Sequence, residues 1–135
     1  MTSFDRAGNP QRQIIVDDRK LDYLFDRNIQ PDDHNSSRAQ QNARQLKRLG
    51  FDDDSDSRQI VKQHLQQTAR SNNNTIQQVT HQFSNRETGE IGEVNTEVRD
   101  SLFAGRSGKF AQIHSFWEVS SQETRRFLSA ILYGK

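Results

Sequence analysis

The sequence predicts an α+β domain: two or three N-terminal helices packed on one face of a roughly four-stranded antiparallel C-terminal sheet. Two observations carry this. Apolar residues recur every three to four positions up to about residue 70, and from Thr75 onward the period falls to two. Turn-forming clusters at Ser71–Asn74, Asn85–Gly89, Gly105–Lys109 and Ser120–Thr124 then cut the second half into four strand-length pieces.

Composition sets the limits. The chain has 135 residues, enough for one domain with one core, and its apolar share of 30% is low against the usual value of about 45–50%, a figure that also counts glycine. Much of it is therefore solvated surface. Nineteen basic and eighteen acidic side chains leave a net charge of +1, so binding to nucleic acid or an anionic surface needs a local patch. Without cysteine, disulfides and thiolate metal sites are excluded and the redox compartment is left open. No apolar run reaches membrane-spanning length and no signal-peptide core is visible, so no membrane association is expected. The expected location is the cytoplasm, or export as an effector without a cleaved signal.

Residues 1–11 form a polar lead, and one domain spans 12–135. Ile14-Ile15-Val16 is β-branched and suits a short edge strand or an extended arm. Asp17 or Asp18 caps a helix over about 18–28, with Leu21, Leu24 and Phe25 on one side; Pro31 bounds it. Ser37 and Gln40 fit a capping box for a helix over 36–49 whose stripe is Ala39, Ala43, Leu46 and Leu49. Gly50 stands at the left-handed position after it. The Asp52–Asp54 run lacks the glycine and distal glutamate of a calcium loop. Asp56 and Gln59 fit the start of a third helix over 56–70, with Ile60, Val61, His64, Leu65, Thr68 and Ala69 on its apolar face. Strands follow at about 75–84, 90–99, 109–119 and 125–133.

Alternation sorts the last hairpin into two faces. Ile113, Ser115, Trp117 and Val119 share one with Leu128, Ala130 and Leu132, which makes it the helix-covered core. The other carries Gln112, His114, Phe116 and Glu118, with Arg125, Phe127, Ser129, Ile131 and Tyr133 opposite. Three helices hardly cover both sides of a sheet, so this mixed aromatic, basic and histidine face is expected to meet a ligand, a nucleic acid or a partner.

Chemistry-bearing residues are few. His114 suits general acid–base work near neutrality, or is a strand histidine satisfied by its neighbours. His64 and His81 sit on apolar faces and read as core or semi-buried; His34 lies in a loop. The four histidines lack metal-ligand spacing, so neither a metal nor another cofactor is expected. Gly105-Arg106-Ser107-Gly108-Lys109 superficially matches a phosphate loop. Phe110 and a strand follow the lysine where a nucleotide-binding loop needs Ser/Thr and a helix, so nucleotide hydrolysis is rejected. The loop either presents Arg106 and Lys109 to a phosphate or is a solvated hairpin tip.

Several stretches carry a resemblance: Lys20-Leu21-Asp22-Tyr23-Leu24-Phe25, His34-Asn35, Leu46 to Phe51, Phe116-Trp117-Glu118-Val119 and Ala130-Ile131-Leu132-Tyr133. From about residue 19 to the end, the chain resembles small bacterial polymorphic-toxin and phage-associated domains related to the barnase–EndoU–colicin–RelE ribonuclease group, colicin D-like tRNA nucleases included. The resemblance lies in element order and scattered residues. It implies metal-independent RNA cleavage by 2′-OH attack, with His114 as acid or base. Arg106, Lys109 and Arg125 would stabilise phosphorane charge and Ser129 would orient the 2′-OH; Arg126 joins Arg106 and Lys109 as a phosphate contact. Two other readings stand beside it. One is a non-catalytic module that uses Phe116, Phe127, Ile131 and Tyr133 against a protein partner or a second copy. The other is a phage-type accessory protein that keeps the fold without the chemistry. The endoribonuclease reading ranks first.

Overall fold

In a computed structural model, residues 12–27, 36–71 and 73–135 are described. The expected order of helices before sheet is observed, with one strand added: β1 (Gln13–Ile15), α1 (Asp18–Leu24), α2 (Ser36–Arg48), α3 (Ser55–Arg70), β2 (Thr75–Ser84), β3 (Ile91–Ala104), β4 (Phe110–Ser121) and β5 (Thr124–Gly134). The sheet has five strands in the order β1-β5-β4-β3-β2. The β2–β5 meander is antiparallel, while β1 lies parallel to the start of β5 through Gln13–Thr124, Ile14–Arg125 and Ile15–Arg126. The expected four-stranded antiparallel sheet is thus a five-stranded mixed one. Of the two uses open to Ile14-Ile15-Val16, an edge strand or a free arm, the chain takes the first.

Local chemistry explains the helix ends. Asp17 caps α1, its side chain accepting the Arg19 N–H at 2.9 Å. The helix stops at Leu24, sooner than residue 28, because Asp26 takes the left-handed conformation (φ 54°) while the Phe25 N–H returns to the Leu21 carbonyl. At the end of α2, Gly50 (φ 90°) donates to Lys47 O and Phe51 donates to Leu46 O. That is a Schellman closure, which needs glycine at its left-handed position. Asp54, not Asp56, caps α3 by accepting the Ser57 N–H at 2.8 Å. Asp53 is engaged by Arg27 and Arg58, so Asp53 and Asp54 are spent on ion pairs and a cap.

β3 extends to Ala104, beyond the expected end at 99, because Phe103 pairs with Ala111 and is buried. The turn is confined to 105–109, closed by the Gly105 N–H on Lys109 O.

All three helices lie on one side of the sheet. α1 and α2 pack on β5, and α3 on β3 and β1. Leu21, Leu24, Leu46, Leu49, Val61, Leu65 and Ala69 from this layer meet Phe103, Ile113, Trp117, Phe127, Ala130 and Leu132 from the sheet. Burying each large apolar side chain contributes roughly 1.5–3 kcal/mol. Trp117, fully buried, donates its indole N–H to Ser115 Oγ at 2.9 Å, so its one polar atom is satisfied inside the core.

The covered face also buries charge. Glu97 lies between Arg99 and Arg125, paired to each at 2.8 and 3.0 Å. Arg99 donates further to Thr68 O, Ser71 O and Asn74 Oδ1, tying the end of α3 to the start of β2. Arg125 donates to the carbonyls of Ser121, Gln122 and Thr124. Burial raises the pKa of Glu97, but hydrogen bonding and charge from Arg125 and Arg99 outweigh it and hold the carboxyl below its ordinary value.

A bulge in β5 corrects the expected faces. Phe116 pairs with Ser129 and Trp117 with Phe127, which leaves Leu128 without a partner in the register. The extra residue flips everything before it. Phe127 is buried edge-on against Trp117, their ring centroids 5.3 Å apart, and Arg125 is buried with Glu97. Neither lies on the open face, where uninterrupted alternation puts them. Leu128 is only half-buried.

Candidate active site on the open sheet face

No helix among the described residues lies over the other face of the sheet. Strand register arranges it in rows across β3, β4 and β5: Leu102–Gln112–Tyr133, Asp100–His114–Ile131, Val98–Phe116–Ser129 and Thr96–Glu118–Arg126. His114 is therefore at its centre. The Nε2 of His114 sits 3.5 Å from Asp100 Oδ1, and Gln112 Nε2 donates to that same oxygen at 2.8 Å. The His114 and Tyr133 rings meet in a T-shaped contact, with centroids 5.2 Å apart. About a third of the His114 side chain remains exposed. A carboxylate-oriented imidazole that still reaches solvent can take or give a proton to a bound molecule. Next to it, a cleft of about 240 Å³ is lined by Asp100, Leu102, Gln112 and Lys135, so a cation lies close to the pair.

Of the residues expected at the site, His114, Phe116, Ser129, Ile131 and Tyr133 share the open face. Arg126 lies in the same surface region and pairs loosely with Glu118 at 3.8 Å. Arg125 and Phe127 are on the covered side. Arg106 is also directed away: its guanidinium lies 5.2 Å over the Phe51 ring. Its loop docks on the end of α2, Ser107 donating from N–H to Leu49 O and from Oγ to Arg48 O. A Cβ on Gly105 would come within 2.6 Å of Leu49. This glycine-rich turn thus closes a helix end at close quarters, and Lys109 stays exposed at its far end.

The other histidines separate. His64 bonds Ser101 Oγ at 3.0 Å and lies tilted against the Phe103 ring, centroids 4.6 Å apart; burial lowers its pKa and favours the neutral ring. His81, expected to be semi-buried, is exposed on the open face opposite Val94. His34 lies outside the described residues. Among the described residues no three metal-ligating side chains cluster.

Asp100 was invisible as a partner because β3 was expected to end before it. Centring the hairpin on Ser107 pairs residue 100 with residue 114, so the signal lay in the turn length. A second feature missed from the sequence is a cleft of about 340 Å³ at the β5 bulge, where Arg19, Lys20 and Arg38 gather around Tyr23, Leu128 and Ser129.

No protein-family model matches the chain, and no curated protein matches it. A solved structure does. The chain is similar to one from a contact-dependent growth inhibition toxin–immunity protein complex of Klebsiella pneumoniae 342. The TM-score is 0.70 and the identity 29%, over 90% of this chain and 94% of that one. This likeness supports a fold shared with a protein of that bacterial toxin–immunity pair. Among the described residues no helix is long and apolar enough to cross a membrane.

Proposed function

We propose that this protein is a growth-inhibiting endoribonuclease that works without a metal and has its site on the open face of the sheet. The observation that carries the reading is the partly exposed His114 beside Asp100, on a face that no helix of the described residues covers, in a chain whose fold matches that of one protein of a toxin–immunity complex.

His114, oriented by Asp100, takes the proton from a ribose 2′-OH. The freed oxygen attacks the adjacent phosphorus, the bond to the 5′-oxygen breaks, and a cyclic phosphate and a 5′-hydroxyl result. The leaving oxygen takes a proton from water or from His114 once it is protonated. Lys135 and Arg126 are cations on or beside this face that can offset phosphorane charge, Lys109 is exposed in the turn before β4, and Ser129 orients the 2′-OH. Phe116 and Tyr133 offer stacking surfaces to unpaired bases. Arg125, whose donors are engaged by Glu97 and backbone carbonyls, has a structural role. The compartment of action is the cytoplasm, where RNA is met, and the natural antagonist is an immunity protein.

A second reading makes the same face a protein-binding surface without chemistry. It is favoured by exposed Leu102, Phe110 and Tyr133 and by a net charge of only +1. Incubation of the protein with total RNA in EDTA separates the two. Discrete cleavage by the parent that is lost in His114→Ala supports the nuclease. Intact RNA from folded protein at every concentration leaves the binding surface.

A further inference from the structure

The two edges of the sheet are treated differently, and the difference points to a partner. On the β5 side, β1 pairs with the first residues of the strand. Beyond it α2 supplies side-chain amides: Asn42 donates to Ala130 O and accepts from Leu132 N–H, both at 2.9 Å, and Gln41 donates to Leu132 O. Asn42 in effect replaces a neighbouring strand. On the β2 side, no strand among the described residues pairs with the outer edge of Thr75–Ser84.

This bare edge is ten residues long and reads Thr-Ile-Gln-Gln-Val-Thr-His-Gln-Phe-Ser. It holds no lysine, glutamate, aspartate or proline, the residues by which proteins blunt exposed edges. It also reaches past its support. β3 pairs with β4 only from Thr96 onward, so residues 80–84 and 91–95 project as a two-stranded ribbon. Such a ribbon is marginal alone, yet it is well formed. Its turn closes through Asn85 and Glu90, and the Phe83 ring lies where a Cβ on Gly92 would clash at 2.3 Å. Ile76, Phe83 and Ile91 are more than half exposed.

We propose that β2 pairs antiparallel with β2 of a second copy of this chain, about a two-fold axis near Val79, joining two sheets into one of ten strands. Three features favour a second copy as the occupant. A strand without charged side chains places no like charges opposite each other when it meets itself. With the axis at Val79, Gln77 faces His81 of the other copy, setting an amide against an imidazole on the same face, and regular pairing ends at the register shift between Thr75 and Gln77. The ribbon end, where Glu87, Glu90 and Glu93 outnumber Arg86, is then carried toward the end of the other copy's α3 and its exposed Arg70. The same acidic ribbon disfavours RNA along this edge. The inference is independent of the nuclease reading, because it concerns association and not cleavage.

Sedimentation velocity on the full chain over a concentration series is the test, with hydrogen exchange on the same samples. The expected result is a monomer–dimer equilibrium in which β2 amides gain protection as concentration rises. Val79→Lys, which sets two ammonium groups against each other at the axis, should raise the dimer dissociation constant about tenfold or more, a shift of about 1.4 kcal/mol. Mixing Val79→Lys with Val79→Glu should restore a mixed dimer. A parent that stays monomeric with concentration-independent exchange in β2 overturns the proposal, even if a different protein later binds that edge. So does a dimer that survives Val79→Lys but is lost in Phe116→Asp, which assigns contact to the open face. Exchange in the parent decides the matter if the variants fail to fold.

Discussion

The two faces of this sheet hold similar kinds of side chain in opposite states. Under the helices, Arg99 and Arg125 are 1% and 5% exposed and their donors are occupied by Glu97 and by carbonyls. On the open side, His114 has one carboxylate 3.5 Å away, one aromatic neighbour and access to solvent. A buried charge whose hydrogen bonds are complete holds structure and has nothing left for a ligand. A loosely held imidazole on a bare face adds little to stability and stays available for chemistry. Charge type alone does not distinguish the two roles. The degree of satisfaction does.

Substitutions should therefore separate stability from activity by face. The largest loss of stability is expected from Glu97→Ala, which leaves Arg99 and Arg125 buried without their shared anion; unfolding in urea should show a decrease of about 3–5 kcal/mol. A decrease within about 0.5 kcal/mol would mean that water replaces the carboxylate easily and that the two faces differ less than their geometry implies. Asn42→Leu comes next. It strands the Leu132 N–H and the Ala130 carbonyl beneath α2, and should cost about 2–3 kcal/mol, with faster amide exchange along that side of β5.

Acid should act on the covered face in two stages. Burial holds the folded pKa of His64 below its unfolded value of about 6.5. Protonation then favours the unfolded chain, and stability declines as pH falls below that value. Glu97 has a depressed folded pKa, so its contribution is full above the unfolded glutamate value of about 4.3 and is lost as pH drops through the folded one. Thermal melts against pH should show a shallow decline followed by a steeper one. His64→Gln should remove only the first. A melt profile flat from pH 7 to 3 would contradict both assignments. The smallest stability change belongs to the open face, where His114→Ala should stay within about 1 kcal/mol of the parent.

Much of this contrast was legible in the sequence. The change of period at Thr75, the Asp17 cap and Gly50 located the helices and the meander to within a few residues, and alternation put Trp117 inside and His114 outside. What stayed hidden was non-local. One unpaired residue at Leu128 reverses the faces of Arg125 and Phe127, and a regular two-residue pattern carries no mark of it. Three residues at Gln13–Ile15 are too few to announce a parallel partner 111 positions away, at Thr124–Arg126. Asp100 became a neighbour of His114 only once the length of β3 fixed the register. The acid-rich turn before α3 and the glycine-rich turn after β3 both suggest ligand loops by composition. Their side chains and backbone groups are used instead to cap helices.

The most direct test of the central claim compares the parent with His114→Ala on total RNA in EDTA, with urea unfolding of both proteins in parallel. The account predicts discrete cleavage by the parent, a loss of roughly 10²–10⁴-fold in rate for the variant, and unfolding midpoints that nearly coincide. Equal cleavage by both proteins, or intact RNA from a folded parent, would contradict it.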